Sequence, residues 1–257
     1  MRVTGKVVVI TGAGSGIGAG LARRFSREGA AAVILADIDL EAATNIAEEI
    51  GGQAMRVDVA DEDSNLRLIE DVQTTFGQID LFCANAGIAH EGDEQSSDEE
   101  WEHMLGINFK AHVFAARHLV PRWLDRGGGY LLVTASAAGL LTNLGADQYT
   151  VTKHAAVAFA EWIAITYGDR GIKVSCLCPQ GVRTPMLRQA SIVGQLLAES
   201  ALTADEVAAA VVEGLEAERF LILPHAEVAD FVLRKASDGD AWIAGMRRLQ
   251  ARLGLSK

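Results

Sequence analysis

The sequence predicts a single-domain, Rossmann-type doubly wound α/β fold, a parallel sheet of about seven strands with helices on both faces. Three observations carry this. Short β-branched runs alternate with longer amphipathic segments along all 257 residues, the pattern of right-handed strand–crossover–strand units. The strand runs are apolar without alternation, as strands covered on both faces must be. A glycine-rich turn stands between the first apolar run and the first amphipathic one.

In chain order, strands are expected at 7–11, 32–37, 53–59, 79–84, 130–135, 173–178 and 220–223. Each is a run of Val, Ile, Leu or aromatic residues bounded by glycine or polar residues. Helices are expected at 16–28, 40–50, 64–76, 98–123 and 148–167. In the tail, Trp242, Met246, Leu249 and Leu253 recur at helical spacing. Arg247, Arg248, Gln250 and Arg252 take the other side. Residues 225–257 therefore read as a helical extension, packed on its own subunit. No linker, repeat or low-complexity segment divides the chain, so residues 1–257 form one domain.

Composition bounds the function. The net charge of -11 argues against nucleic acid and against an anionic membrane surface. No apolar run reaches the length of a membrane span, and no secretory signal pattern opens the chain. The expectation is a cytoplasmic protein. Three cysteines, Cys83, Cys176 and Cys178, do not make a disulfide framework. They read as small buried hydrophobes. The six histidines form no HxH or HxxxH pair, and no metal is assigned.

The turn reads Thr11-Gly12-Ala13-Gly14-Ser15-Gly16-Ile17-Gly18. Gly12, Gly16 and Gly18 allow a tight turn and close approach of a pyrophosphate to the backbone. The helix that follows offers free N–H groups and the positive end of its dipole. The strand–turn–helix context is what lifts a glycine-rich loop above coincidence. About 20 residues on, Asp37 ends the second strand, where a carboxylate can accept from adenosine ribose hydroxyls. It would repel a 2′-phosphate, and no basic residue follows in Ile38-Asp39-Leu40. The cofactor implied is NAD. Either Asp37 or Asp39 could instead cap the next helix; Asp39 is better placed to do so.

Tyr149 and Lys153 stand at i and i+4 on one helix face. A free phenol titrates near 10, too high for a base at neutral pH, and a nearby ammonium lowers it. Ser136 ends an apolar run upstream and can hydrogen-bond a substrate oxygen. A dinucleotide cradle and a tuned phenol together imply hydride transfer coupled to proton transfer, that is, alcohol oxidation or carbonyl reduction.

In this order and spacing the motifs resemble the short-chain dehydrogenase/reductase family, from about Gly5 to Met186. By that resemblance Ser136, Tyr149 and Lys153 are the catalytic serine, tyrosine and lysine, with Lys153 on the nicotinamide ribose. Asn108 matches a helix asparagine that supports a proton-relay water. Asp58-Val59 matches the adenine contact, and Asn85-Ala86-Gly87 the turn after the fourth strand. Pro179, Gly181, Val182 and Thr184 match the nicotinamide-binding segment, Thr184 taking the carboxamide. The resemblance also implies a homodimer or homotetramer through the alanine-rich helix at 155–164.

Two departures bear on the site. Ala84 stands where the family turn often has a first Asn, and Gln180 stands at the usual glycine of Pro-Gly-x-Val-x-Thr. The tail also lacks the Asp-Gly-Gly ending common in reductases of the fatty-acid synthesis type; Arg219-Phe220-Leu221-Ile222-Leu223-Pro224-His225 and a helical extension replace it. That places the chain nearer the hydroxysteroid and prostaglandin dehydrogenases. Residues 185–201, largely apolar, are expected to form a lid. Ser136, Ala138, Leu144, Gln180 and Met186, with Leu140 and Leu141, are expected to line an apolar substrate pocket for a secondary alcohol or ketone. The alternative is a non-catalytic dinucleotide-binding regulatory protein on the same fold; the presence of all four residues Asn108, Ser136, Tyr149 and Lys153 opposes it.

Overall fold

The computed structural model describes residues 1–188 and 196–255. Seven strands pair in parallel in the order β3-β2-β1-β4-β5-β6-β7. They are β1 (Val7–Thr11), β2 (Ala32–Asp37), β3 (Gln53–Arg56), β4 (Leu81–Ala84), β5 (Gly129–Thr134), β6 (Ile172–Leu177) and β7 (Leu221–Ile222). The order reverses between β1 and β4, which opens a crevice at the strand C-termini there.

The strands alternate between two apolar layers. Val7 and Val9 of β1 face a layer completed by α3 (Glu62–Phe76), α5 (Ala111–Asp125) and α6 (Asp147–Tyr167). Val8 and Ile10 face the other, completed by α1 (Gly16–Arg27), α2 (Leu40–Ile50) and α8 (Ala204–Glu216). Both neighbours of each β1 side chain are thus apolar, which is why the strand runs show no polar alternation.

Four elements differ from the sequence expectation. β3 stops at Arg56, because the Asp58 carboxylate accepts the Ala60 N–H at 2.9 Å and turns the chain. The helix expected at 98–123 is α4 (Asp98–Leu105) and α5, joined by a π-helical turn at Gly106–Lys110. Helix α8 was not anticipated. A reciprocal Thr203–Glu206 capping box starts it, a device worth about 1 kcal/mol. The tail holds two helices, α9 (Glu227–Ser237) and α10 (Gly239–Arg252), with Asp238 capping the second through the Ala241 N–H. A short helix, α7 (Pro185–Arg188), opens the segment expected as a lid; residues 189–195 of that segment lie outside the described residues. Among the described residues no helix is long and apolar enough to cross a membrane.

Candidate active site

The glycine loop runs from the end of β1 into α1 and is shaped by close backbone approach. Gly12 has φ +66°, and a Cβ there would stand 2.8 Å from Ala86 Cα. A Cβ on Gly18 would overlap the Gly12 carbonyl oxygen and sit 2.7 Å from Asn85 Nδ2. Gly16, at φ +54°, faces Thr184, whose Cγ2 is 3.1 Å from an added Cβ. The loop therefore packs on Asn85 and Ala86 on one side and on Thr184 on the other. Ile17 packs at the margin of the α1 layer. Ser15 is the N-cap of α1, yet its side chain makes no capping bond and no acid occupies the first turn. The positive end of the helix is left for an anion.

Asp37 closes this end. Its carboxylate accepts Gly14 N–H at 2.8 Å and Asp39 N–H at 3.0 Å. A carboxylate has about four acceptor positions, so two remain for ribose hydroxyls. The cap of α2 is Asp39, through Ala42 N–H at 3.0 Å, and not Asp37. Asp58 and Val59 follow β3 on the same edge, Val59 buried and Asp58 half-buried. Asn85 donates to Thr11 O at 2.9 Å, and its Oδ1 is buried without a partner among the described residues.

The other end is made of buried polar side chains. Asn108 lies in the π turn, fully buried. It accepts Ile88 N–H at 2.9 Å and donates to Ile88 O at 3.0 Å and to Thr152 Oγ at 3.2 Å. A π turn widens the ladder and is a frequent mark of functional sites; here it accompanies the asparagine that grips the loop after β4. Gly87 connects the ends, since a Cβ there would stand 3.2 Å from both Asn108 Oδ1 and Lys153 Nζ. Lys153 is buried on α6 and donates to Thr134 O at 3.1 Å. Burial pushes its ammonium down to about 8, against smaller opposing effects of Cys176 and Cys178. Ser136 accepts Ala138 N–H at 3.1 Å.

Tyr149 departs from the expected tuning. Burial pushes its phenol above the ordinary value, against the Ser136 hydrogen bond, which pulls it down. Lys153 Nζ is 5.7 Å from the ring centroid and bonded to Thr134 instead. Burial is the largest cause of the shift, and Lys153 is not placed to reverse it.

The substrate-facing expectations fare unevenly. Ala138 is buried beside Ser136, and Leu144 is half-buried near the start of α6. Gln180 N–H is bonded to His225 Nδ1. Met186 is 40% exposed on α7. Leu141, expected as pocket wall, is buried in a cluster with Ala137 and Val228 that Leu140, Phe231 and Trp242 flank. It anchors the C-terminal helices, because those helices need an apolar seat and the segment after Ser136 supplies it.

A model of the short chain dehydrogenase family matches residues 6–192. The chain belongs to the short-chain dehydrogenase family. It is 34% identical over 251 residues to a 1-deoxy-11-beta-hydroxypentalenate dehydrogenase of Streptomyces exfoliatus, covering 94% of this chain and 90% of that one. It is 33% identical to a cyclohexanol dehydrogenase of Acinetobacter sp. (strain SE19), covering 73% and 77%. A short-chain dehydrogenase/reductase from Burkholderia phymatum, solved in complex with NAD, superposes with a TM-score of 0.85 at 27% identity, covering 94% and 96%.

As in any short-chain dehydrogenase, a dinucleotide must fit the crevice, and the residues present fit one. A glycine cradle with no room for side chains, an uncapped helix N-terminus and the orphaned Asn85 Oδ1 stand together along it. Three residues of this assembly escaped the sequence reading. Thr11 Oγ accepts Asn85 N–H at 3.0 Å and Ala86 N–H at 3.1 Å; its place just before the glycines was the available signal. Thr152 holds Asn108 and sits beside Lys153 in sequence. His225 had no local signal at all. Among the described residues no group of three or more His, Cys, Asp or Glu could hold a metal ion.

Proposed function

We propose that this protein is an NAD-dependent oxidoreductase that interconverts a secondary alcohol and a ketone on an apolar small molecule. The observation that carries this is the meeting of the glycine cradle, through Gly87, with the Asn108–Lys153–Tyr149–Ser136 group. Bound nicotinamide supplies the hydride-transfer chemistry. Gly12 to Gly18 and the start of α1 bind the pyrophosphate, Asp37 the adenosine ribose, and Asp58, Val59 and Asn85–Gly87 the adenine side. Lys153 holds the nicotinamide ribose, and Pro179, Gly181, Val182 and Thr184 its carboxamide end. Ser136 orients the substrate oxygen, and Ala138, Leu144, Gln180 and Met186 shape the apolar surroundings. Tyr149 gives its proton to a carbonyl oxygen in reduction and takes one in oxidation. Asn108, through Ile88 and Thr152, keeps Lys153 and its helix in register. The cyclohexanol and hydroxypentalenate relatives support a cyclic, largely apolar alcohol.

The test is turnover on a panel of cyclic secondary alcohols and ketones with NAD(H) and NADP(H) in parallel. NAD-dependent turnover is expected, falling about a thousandfold or more in Tyr149→Phe, the scale of a lost general acid–base, with NADH binding retained. Undiminished turnover in Tyr149→Phe would remove Tyr149 from the chemistry, and preference for NADP would reverse the reading of Asp37.

In this reading the protein works in the cytoplasm as a homodimer or homotetramer. Val151, Ala158, Trp162 and Ile165 are exposed along one face of α6. That spacing makes a continuous apolar stripe. Trp162→Lys is expected to yield monomers in analytical ultracentrifugation; a wild-type monomer at micromolar concentration would end this part of the proposal.

A further inference from the structure

We propose that His225 is a positioning residue for cofactor binding: its imidazole clamps the Gln180–Gly181 backbone and so presents Val182–Thr184 to the nicotinamide end. This rests on the cofactor reading above and adds a residue far outside the family's motifs.

His225 follows β7, 45 residues after Gln180, and is 4% exposed. Gln180 N–H stands 3.1 Å from Nδ1, and Gly181 O stands 3.0 Å from Nε2. An amide N–H can only donate and a carbonyl can only accept. Nδ1 is therefore the acceptor and Nε2 carries the proton: one neutral tautomer satisfies both contacts. The ring bridges the two peptide units that flank the Gln180–Gly181 peptide, from one side. On the other side Leu202 N–H donates to the same Gly181 O at 3.1 Å, and Arg183 N–H donates to Leu202 O at 2.8 Å.

The clamped peptides sit between the two ends of the site. Pro179 O accepts Ala137 N–H at 2.8 Å, next to Ser136. Thr184 stands against Gly16 of the cradle. A shift at Gln180–Gly181 moves both neighbours. The clamp also accounts for the displaced glycine. A Cβ on Gly181 would meet Leu197 O at 2.6 Å, so the close approach is at 181, while at 180 the backbone N–H, not the side chain, is what His225 requires. The residue there is free to be Gln.

The test uses two substitutions in the full chain. His225→Phe keeps the ring volume and loses both hydrogen bonds. His225→Gln keeps an acceptor and a donor side by side. NADH dissociation constants come from fluorescence titration, KM for NAD and kcat from turnover, and the tautomer from the ¹⁵N spectrum of histidine-labelled protein, assigned by the signal missing in His225→Gln. Two lost hydrogen bonds predict that His225→Phe raises the NADH dissociation constant and the KM for NAD about tenfold or more, with kcat at saturation changed about threefold or less. His225→Gln is expected to recover most of that loss, and the wild-type spectrum to show a neutral Nε2–H ring at pH 7.5. Wild-type NADH affinity in His225→Phe, no recovery in His225→Gln, or an Nδ1–H ring each overturns the clamp. A wild-type protein that binds no dinucleotide overturns the cofactor reading itself, and the clamp's role with it. If His225→Phe fails to fold, His225→Gln and the wild-type spectrum still decide.

Discussion

The two ends of the site are built by opposite means. The phosphate end, Thr11–Gly18 with Asn85–Gly87, is shaped by side chains that are missing: its backbone segments approach so closely that a methyl group would collide at Gly12 and Gly18. The proton-handling end is shaped by side chains that are present, Asn108, Thr152 and Lys153 buried and Tyr149 half-buried, at a cost offset by hydrogen bonds. The first end is a steric device, intolerant of an added Cβ at Gly12 and Gly18. The second is an electrostatic device, in which burial sets which groups carry protons. The difference predicts different ways to break each.

The largest effect is expected at the phosphate end. Gly18→Ala forces a Cβ into the Gly12 carbonyl and the Asn85 amide, both fixed. Overpacking of this kind costs about 1–3 kcal/mol of stability, and the accompanying backbone shift is expected to weaken NADH binding about a hundredfold or more. Gly51→Ala is the control. Gly51 is also at positive φ, +67°, but nothing lies within 4 Å of an added Cβ. It is expected to lose only about 1 kcal/mol to backbone strain and to bind NADH normally. Equal NADH affinities in the two variants would show that close packing is not what shapes the cradle.

The same contrast explains what the sequence made legible. The phosphate end is local: a strand, a turn and a helix start within a dozen residues, and glycine at a close approach has no substitute, so the pattern is readable. Asp37 was readable for the same reason, as the last residue of the next strand. The proton-handling end joins residues from 108 to 153, and its geometry depends on features with no periodic signature. The π turn at Gly106–Lys110 looks like ordinary helix in sequence, since a single inserted residue barely disturbs an apolar pattern over 28 residues of helix. The direction of the Tyr149 shift is not legible in the sequence, because spacing gives the neighbour but not the burial, and burial is the first cause of the shift. His225 was invisible because its partners lie 45 residues away and are backbone atoms. Helix α8, by contrast, begins with Thr203 and Glu206 in a capping-box spacing and was open to reading.

A smaller effect, confined to acid, should appear at the proton-handling end alone. His112 follows the π turn, 1% exposed. Burial first, and then the Lys153 charge, push its imidazole down to about 3, outweighing a contact with the Asn108 backbone. In the unfolded chain the ring titrates near 6.5. Below that pH the unfolded state takes up a proton that the folded state refuses. The sign is therefore fixed: the stability contribution is complete above about 6.5 and is lost as pH falls toward 3, with a slope of at most about 1.4 kcal/mol per pH unit. Lys153, depressed to about 8, titrates in a separate alkaline window between 8 and its unfolded value, so the two contributions do not overlap. His112→Phe removes the acid contribution while keeping a ring in the core. Urea unfolding at pH 7.5, 6 and 5 should show the wild type losing stability relative to His112→Phe at each acid step. The gap between Gly18→Ala and its own wild type should stay constant over the same range, because a steric clash has no proton to exchange. Parallel pH profiles for wild type and His112→Phe would mean that this end, too, is held by shape rather than by charge.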